Sequence, residues 1–125
     1  MKKALTIMTI FLSIFFIKNV TAQTMYTDYN FVGTIGPTSV KLTFQEPDHF
    51  FNYYQGYYYN GAKQKYEFKG EEGVFEGKIT LTESIDGQDV GYLVFEDLDY
   101  SKPKIVGKWF NFNFSKTYDI ILYKK

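Results

Sequence analysis

One histidine, no cysteine and no arginine set the chemical limits of this 125-residue chain. A nucleophilic site needs Ser, Thr or Cys beside a base that a third group holds in place. Only His49 can be that base, backed by Asp48 or a more distant carboxylate. Ser39, Ser84, Ser101 and Ser115 all fall beside turns, where serine is common for local reasons. His49 therefore reads as an exposed loop residue. Zinc and iron sites recruit several His or Cys, so no metal and no cofactor site is assigned. Residues 86–89 (DGQD) and 96–99 (EDLD) are short acidic runs, but neither has the twelve-residue grammar of a calcium loop. They read as a turn and a solvated strand end. Glu83 is the one carboxylate that alternation puts in line with an inward face, after Phe75, Gly77, Ile79 and Leu81. At the end of its strand it is expected at a rim in water, with no second acid to pair with for glycoside hydrolysis. A small hydrolase built on His49 or Glu83 is the least favoured function.

The tyrosines are the stronger chemical signal. Residues 50–60, FFNYYQGYYYN, carry seven aromatic rings in eleven positions. In a strand, Tyr54, Gly56 and Tyr58 point one way and Tyr53, Tyr57 and Tyr59 the other. A tyrosine joins an apolar ring to a polar tip, which suits sugars, peptides and partner proteins. Tyr53, Tyr57 and Tyr59 are thus candidate contacts for a ligand or partner. Tyr54, Tyr58, Tyr66, Phe75, Phe95, Trp109 and Tyr118 are candidate interior residues.

The elements that must position these rings are all strands. No window after position 22 shows the i, i+3, i+4, i+7 apolar spacing of a capped helix, whereas period-two alternation punctuated by Gly and Asp recurs throughout. The alternation predicts eight strands, at 30–36, 39–45, 50–60, 64–70, 74–83, 90–98, 105–111 and 117–123. Gly36-Pro37, Asn60-Gly61 and Asp86-Gly87 read as turns, the last two as two-residue hairpin loops. An apolar-x-Gly-x-apolar pattern recurs around Gly33, Gly56, Gly77 and Gly107, with a partial copy at Gly91. Each of these glycines falls on the face that large residues mark as inward. A glycine inside a strand costs about 0.5–1 kcal/mol relative to Ala, so the recurrence implies tight coiling or a ring laid over bare backbone. With every connection short, this predicts an all-β antiparallel up-and-down meander closed, or nearly closed, into a small barrel. The alternative is a two-layer sandwich.

The ordered segments Gly33-x-Ile35-Gly36, Gly56-Tyr-Tyr-Tyr-Asn-Gly61, Phe68-x-Gly-Glu71, Gly77-Lys-Ile-x-Leu-x-Glu83 and Gly107-Lys-Trp109 resemble those of a group of small exported β-proteins of Gram-negative bacteria. The resemblance spans nearly the whole chain after residue 22 and implies fold and export, with no activity attached. The expected architecture is also similar to avidin-like and lipocalin-like ligand barrels. A single Trp and the lack of an early Gly-x-Trp keep their site residues from being carried over.

Export is also written into the amino terminus. Lys2 and Lys3, an apolar run from 4 to 17 and small residues ending at Ala22 have the layout of a cleaved signal helix covering 1–22. The apolar run is shorter than the ~20 residues that span a bilayer. Residues 23–125 are read as one periplasmic or secreted domain that does not span the membrane. This domain carries 11 Lys against 14 Asp and Glu, which argues against nucleic acid as a partner. Without cysteine no disulfide can staple it, so its core alone must hold it. These readings favour a non-catalytic binding module that uses its aromatic surface or barrel mouth for a small apolar ligand, a glycan or an envelope protein. The alternative is a structural, self-assembling envelope protein, with a homo-oligomer formed through the tyrosine stripe.

Overall fold

The computed structural model describes residues 25–48, 53–61, 63–71 and 77–125. The expected signal segment, His49 and Phe75 lie outside the described residues. Eight strands succeed one another: β1 (Tyr26–Ile35), β2 (Thr38–Pro47), β3 (Tyr53–Asn60), β4 (Lys65–Glu71), β5 (Ile79–Ile85), β6 (Gln88–Phe95), β7 (Lys104–Asn111) and β8 (Thr117–Lys124). Each pairs antiparallel with the next, and β1 pairs with β8, so the sheet is a closed barrel and not a sandwich. Closure runs from Phe31 opposite Lys124 to Ile35 opposite Ile120. No helix occurs among the described residues.

The inward faces obey the alternation. Phe31 and Ile35 of β1, Val40, Leu42 and Phe44 of β2, Leu81 of β5, Leu93 and Phe95 of β6, and Ile120 and Leu122 of β8 are all buried. Phe44 is the hub. Its ring meets Phe31 and Phe68 edge-on at 5.6 Å, Phe95 at 6.1 Å, and stacks on Tyr100 at 4.9 Å.

Four of the five pattern glycines sit where neighbouring groups leave no room for a side chain. A Cβ on Gly56 would meet the Thr43 carbonyl and lie 2.6 Å from the Phe68 ring. One on Gly107 would lie 2.6 Å from the Phe95 ring and 2.7 Å from the Val94 carbonyl. Gly33 and Gly91 are similarly crowded by the backbone of Ile121 and Phe110. Gly77 departs from the expectation. It occupies a turn at φ +70°, ahead of a fifth strand that begins only at Ile79, and nothing crowds it. Its role is to supply a left-handed backbone conformation, which glycine adopts without strain.

The turns divide in the same way. Asp86 and Gly87 both have positive φ, as a two-residue type I′ loop requires, and Ile85 pairs with Gln88 across them. Asn60-Gly61 does not form the expected two-residue loop. The Lys63 amide donates to the Asn60 carbonyl, the Asn60 amide to the Gln64 carbonyl, and Lys63 takes the left-handed position at φ 63°. The longer loop leaves Lys65 as the first residue of β4.

Replacing Gly56 or Gly107 by Ala is expected to cost about 1–3 kcal/mol or more, the range for overpacking a filled core. Gly61→Ala, with open space around the site, is expected to change stability little. Urea unfolding checks this: the midpoints for the first two fall with an unchanged slope, and that for the third stays.

Candidate functional site

The two ends of the barrel differ. At the end holding the β6–β7 connection, loop residues Leu98 and Tyr100 turn inward and are buried. Tyr100 stacks on both Phe44 and Tyr29 at 4.9 Å, closing that end. Asp99 accepts hydrogen bonds from the Ser101 amide and hydroxyl, and Lys102 reaches Asp97 at 2.8 Å, so the acidic run 96–99 serves to shape this plug. Alternation misses the plug, because it runs Leu98 into a strand end and leaves Tyr100 in a solvent loop. Two large residues in an acidic loop are the signal that could have found it.

The opposite end is open to a cavity of about 150 Å³ lined by Ile35, Thr38, Val40, Tyr58, Asn60, Tyr66, Glu83, Trp109 and Tyr118. Two stacked ring pairs contribute to its wall. Tyr58 and Tyr66, directly opposite on β3 and β4, lie 4.7 Å apart and 10° from parallel; Trp109 and Tyr118, opposite on β7 and β8, lie 5.6 Å apart at 22°. The Asn60 side-chain amide donates to the Tyr66 hydroxyl at 3.2 Å.

Glu83 forms the floor. Its place at the end of a strand predicts a rim in water; in the structure it is 1% exposed. The Tyr58 hydroxyl donates to one carboxylate oxygen, and the Trp109 indole N–H donates to the other at 3.0 Å. The reason is Gly91, which lies directly across from Glu83 on β6. A Cβ at Gly91 would stand 3.2 Å from both the Glu83 Oε2 and the Trp109 Nε1, so the missing side chain is the space through which indole and carboxylate meet. The β5–β6 register shifts immediately beyond, between Glu83 and Ser84, as bulges often do where a side chain must be aimed. Burial raises the Glu83 carboxyl above its ordinary range, partly opposed by the two hydrogen bonds. Burial, and then the nearby Glu83 charge, push the Tyr58 hydroxyl strongly upward, so Tyr58 remains a donor.

The candidate interior residues separate into three groups. Phe95 and Tyr58 are buried, and Tyr54, Tyr66 and Trp109 are half-buried against the core. Tyr118 lies opposite Trp109 and stacks on it, and it stands at the mouth, 37% exposed, with its ring against Gly36. The outward stripe is present on β3. Tyr57 and Tyr59 meet edge-on at 5.8 Å, Lys65 lies over the Tyr57 ring at 4.9 Å, and Tyr53 is half-buried. A larger depression of about 430 Å³ crosses the outer wall of β6–β8, past Val106, Lys108, Phe110 and Asp119. Among the described residues no buried polar side chain converges on it, and the mouth, which has one, is the better candidate.

The class defined is therefore an eight-stranded up-and-down barrel, plugged at one end and carrying a buried carboxylate beneath its open end. Comparison with family models, curated proteins and solved structures gave no match, so the site is interpreted from its own geometry.

A carboxyl whose pKa is higher folded than unfolded holds more protons in the native state, so stability falls as pH rises from the unfolded value of about 4.3 through the folded one. Glu83→Gln removes that dependence. The variant is expected to gain on the parent protein as pH rises above the unfolded value of about 4.3, measured as the difference of their urea midpoints. An unchanged difference across that rise contradicts the raised carboxyl.

Proposed function

We propose that this chain is an exported, non-catalytic binding protein that takes a small ligand, or one end group of a larger one, into its barrel mouth. The single observation that carries this reading is the mouth cavity, where four aromatic rings surround a buried, hydrogen-bonded carboxylate. Ring faces give area with little conformational cost, and a few convergent polar groups under an apolar wall are the usual make-up of a ligand site. The volume points to a small occupant. A cavity of about 150 Å³ admits a benzene-sized body, well under the ~300 Å³ of drug-sized pockets. The phenylalanine-filled middle and the tyrosine plug support entry from this end alone. Export rests on the charged, then apolar, then small-residue order of positions 1–22.

A second reading, self-association in the envelope, is favoured by one further feature. Phe112 and Phe114 at the β7–β8 tip are 59% and 64% exposed, and both stack on Tyr92 of the outer wall. A monomer in sedimentation at high concentration argues against it.

Trp109 is the sole tryptophan and lines the cavity, so its emission reports occupancy directly. Screening monosaccharides, small apolar compounds and small ions should yield a compound that changes this emission saturably. At a hundredfold excess over Kd it should also stabilise the fold by about 2.7 kcal/mol. Thr38→Phe, which fills the mouth from an exposed position, should abolish binding. The double variant Tyr57→Ser, Tyr59→Ser on the outer wall should retain it. The reverse pattern transfers the site to the stripe.

A further inference from the structure

We propose that the occupant of the mouth is an organic cation, an alkylammonium group held among the rings of Tyr58, Tyr66, Trp109 and Tyr118 with Glu83 as its counter-ion. This rests on the reading of the mouth as the ligand site and names the chemistry that the site selects.

Three observations converge on a positive charge. The first is the carboxylate's incomplete partnership. An ionised carboxylate has about four acceptor positions, and Glu83 receives one hydrogen bond on each oxygen, both from neutral donors. Second, no lysine is among the described residues that line the cavity. Buried carboxylates are ordinarily paired, and one held only by neutral donors favours either a proton or an incoming cation. Third, the walls are aromatic. Ring faces attract a cation within about 6 Å, most strongly where water is excluded, and rings around a methylated ammonium are a recurrent arrangement. The volume agrees, since a methylated ammonium head is no larger than the benzene-sized body that about 150 Å³ accommodates.

The occupant's charge also sets a pH dependence. Burial keeps the empty site inclined to hold a proton on Glu83, and a bound ammonium replaces that proton. The groups facing Glu83 across the cavity are Tyr58 and Asn60 from β3, Tyr66 from β4, Trp109 from β7, Tyr118 from β8, and Ile35, Thr38 and Val40 from β1 and β2. The tyrosines are the only other titratable side chains among them. Affinity for a cation therefore rises with pH, by up to about tenfold per unit while Glu83 remains protonated, and levels off once it is ionised. A neutral ligand shows no such rise.

The test is a titration of the processed protein with tetramethylammonium and choline against 3,3-dimethylbutan-1-ol, the uncharged counterpart of choline, followed by Trp109 emission at constant ionic strength. A lysine-bearing peptide is a further arm that separates a free amine from a partner's side chain. The expected result is at least tenfold tighter binding of choline than of the alcohol, with the pH rise seen for choline alone. In Glu83→Gln, choline is expected to lose its advantage over the alcohol. Equal binding of charged and neutral forms, or a choline preference that survives Glu83→Gln, overturns the inference. So does silence from every cation at millimolar concentration. If a sugar or apolar compound from the wider screen still binds and Thr38→Phe blocks it, the mouth reading stands without the cation. If nothing binds there, both fail.

Discussion

The constraint behind this barrel is how little room eight strands enclose. Inward side chains converge on one axis, and the axis is occupied by phenylalanines. Rings of that size cannot project from every inward position, so bulky residues are matched with bare backbone on the neighbouring strand. Phe68 lies over Gly56, Phe95 over Gly107, and Phe44 touches four rings at once. Dense packing substitutes for the disulfides that the chain lacks.

The same device makes room for the one buried carboxyl among the described residues. Gly91 stands where Glu83 needs space, and through that gap the Trp109 indole reaches the carboxylate. A buried acid of this kind works against stability unless it is neutral or partnered. Here it lies at the floor of an aromatic cavity, partnered by two neutral donors.

Asymmetry between the ends gives that feature an address. A loop of eight residues between β6 and β7 is long enough to fold Leu98 and Tyr100 into one end. The two-residue turns at 36–37 and 86–87 on the other end are too short to cover anything. Two of the four connections at the open end are thus tight hairpins, and the rings that surround it sit at the ends of paired strands.

Strand number, inward faces and the meander were legible in the linear chain because period-two alternation is a local property: whether Leu42 or Lys41 faces inward is settled by its immediate neighbours. Four of the five glycines were legible for the same reason, and Gly77 was not, since a turn and a strand interior use the same residue for different ends. Closure into a barrel was read from the inward glycines, with a sandwich left as the alternative; the choice between the two, the Tyr100 plug and the fate of Glu83 were beyond reach. Each depends on contacts between residues far apart in sequence: β1 with β8, Tyr100 with Tyr29 and Phe44, Glu83 with Tyr58 and Trp109. Alternation told which way Glu83 points. Only the closed sheet, by bringing β3 and β7 to either side of it, decided that it points into rings and not into water.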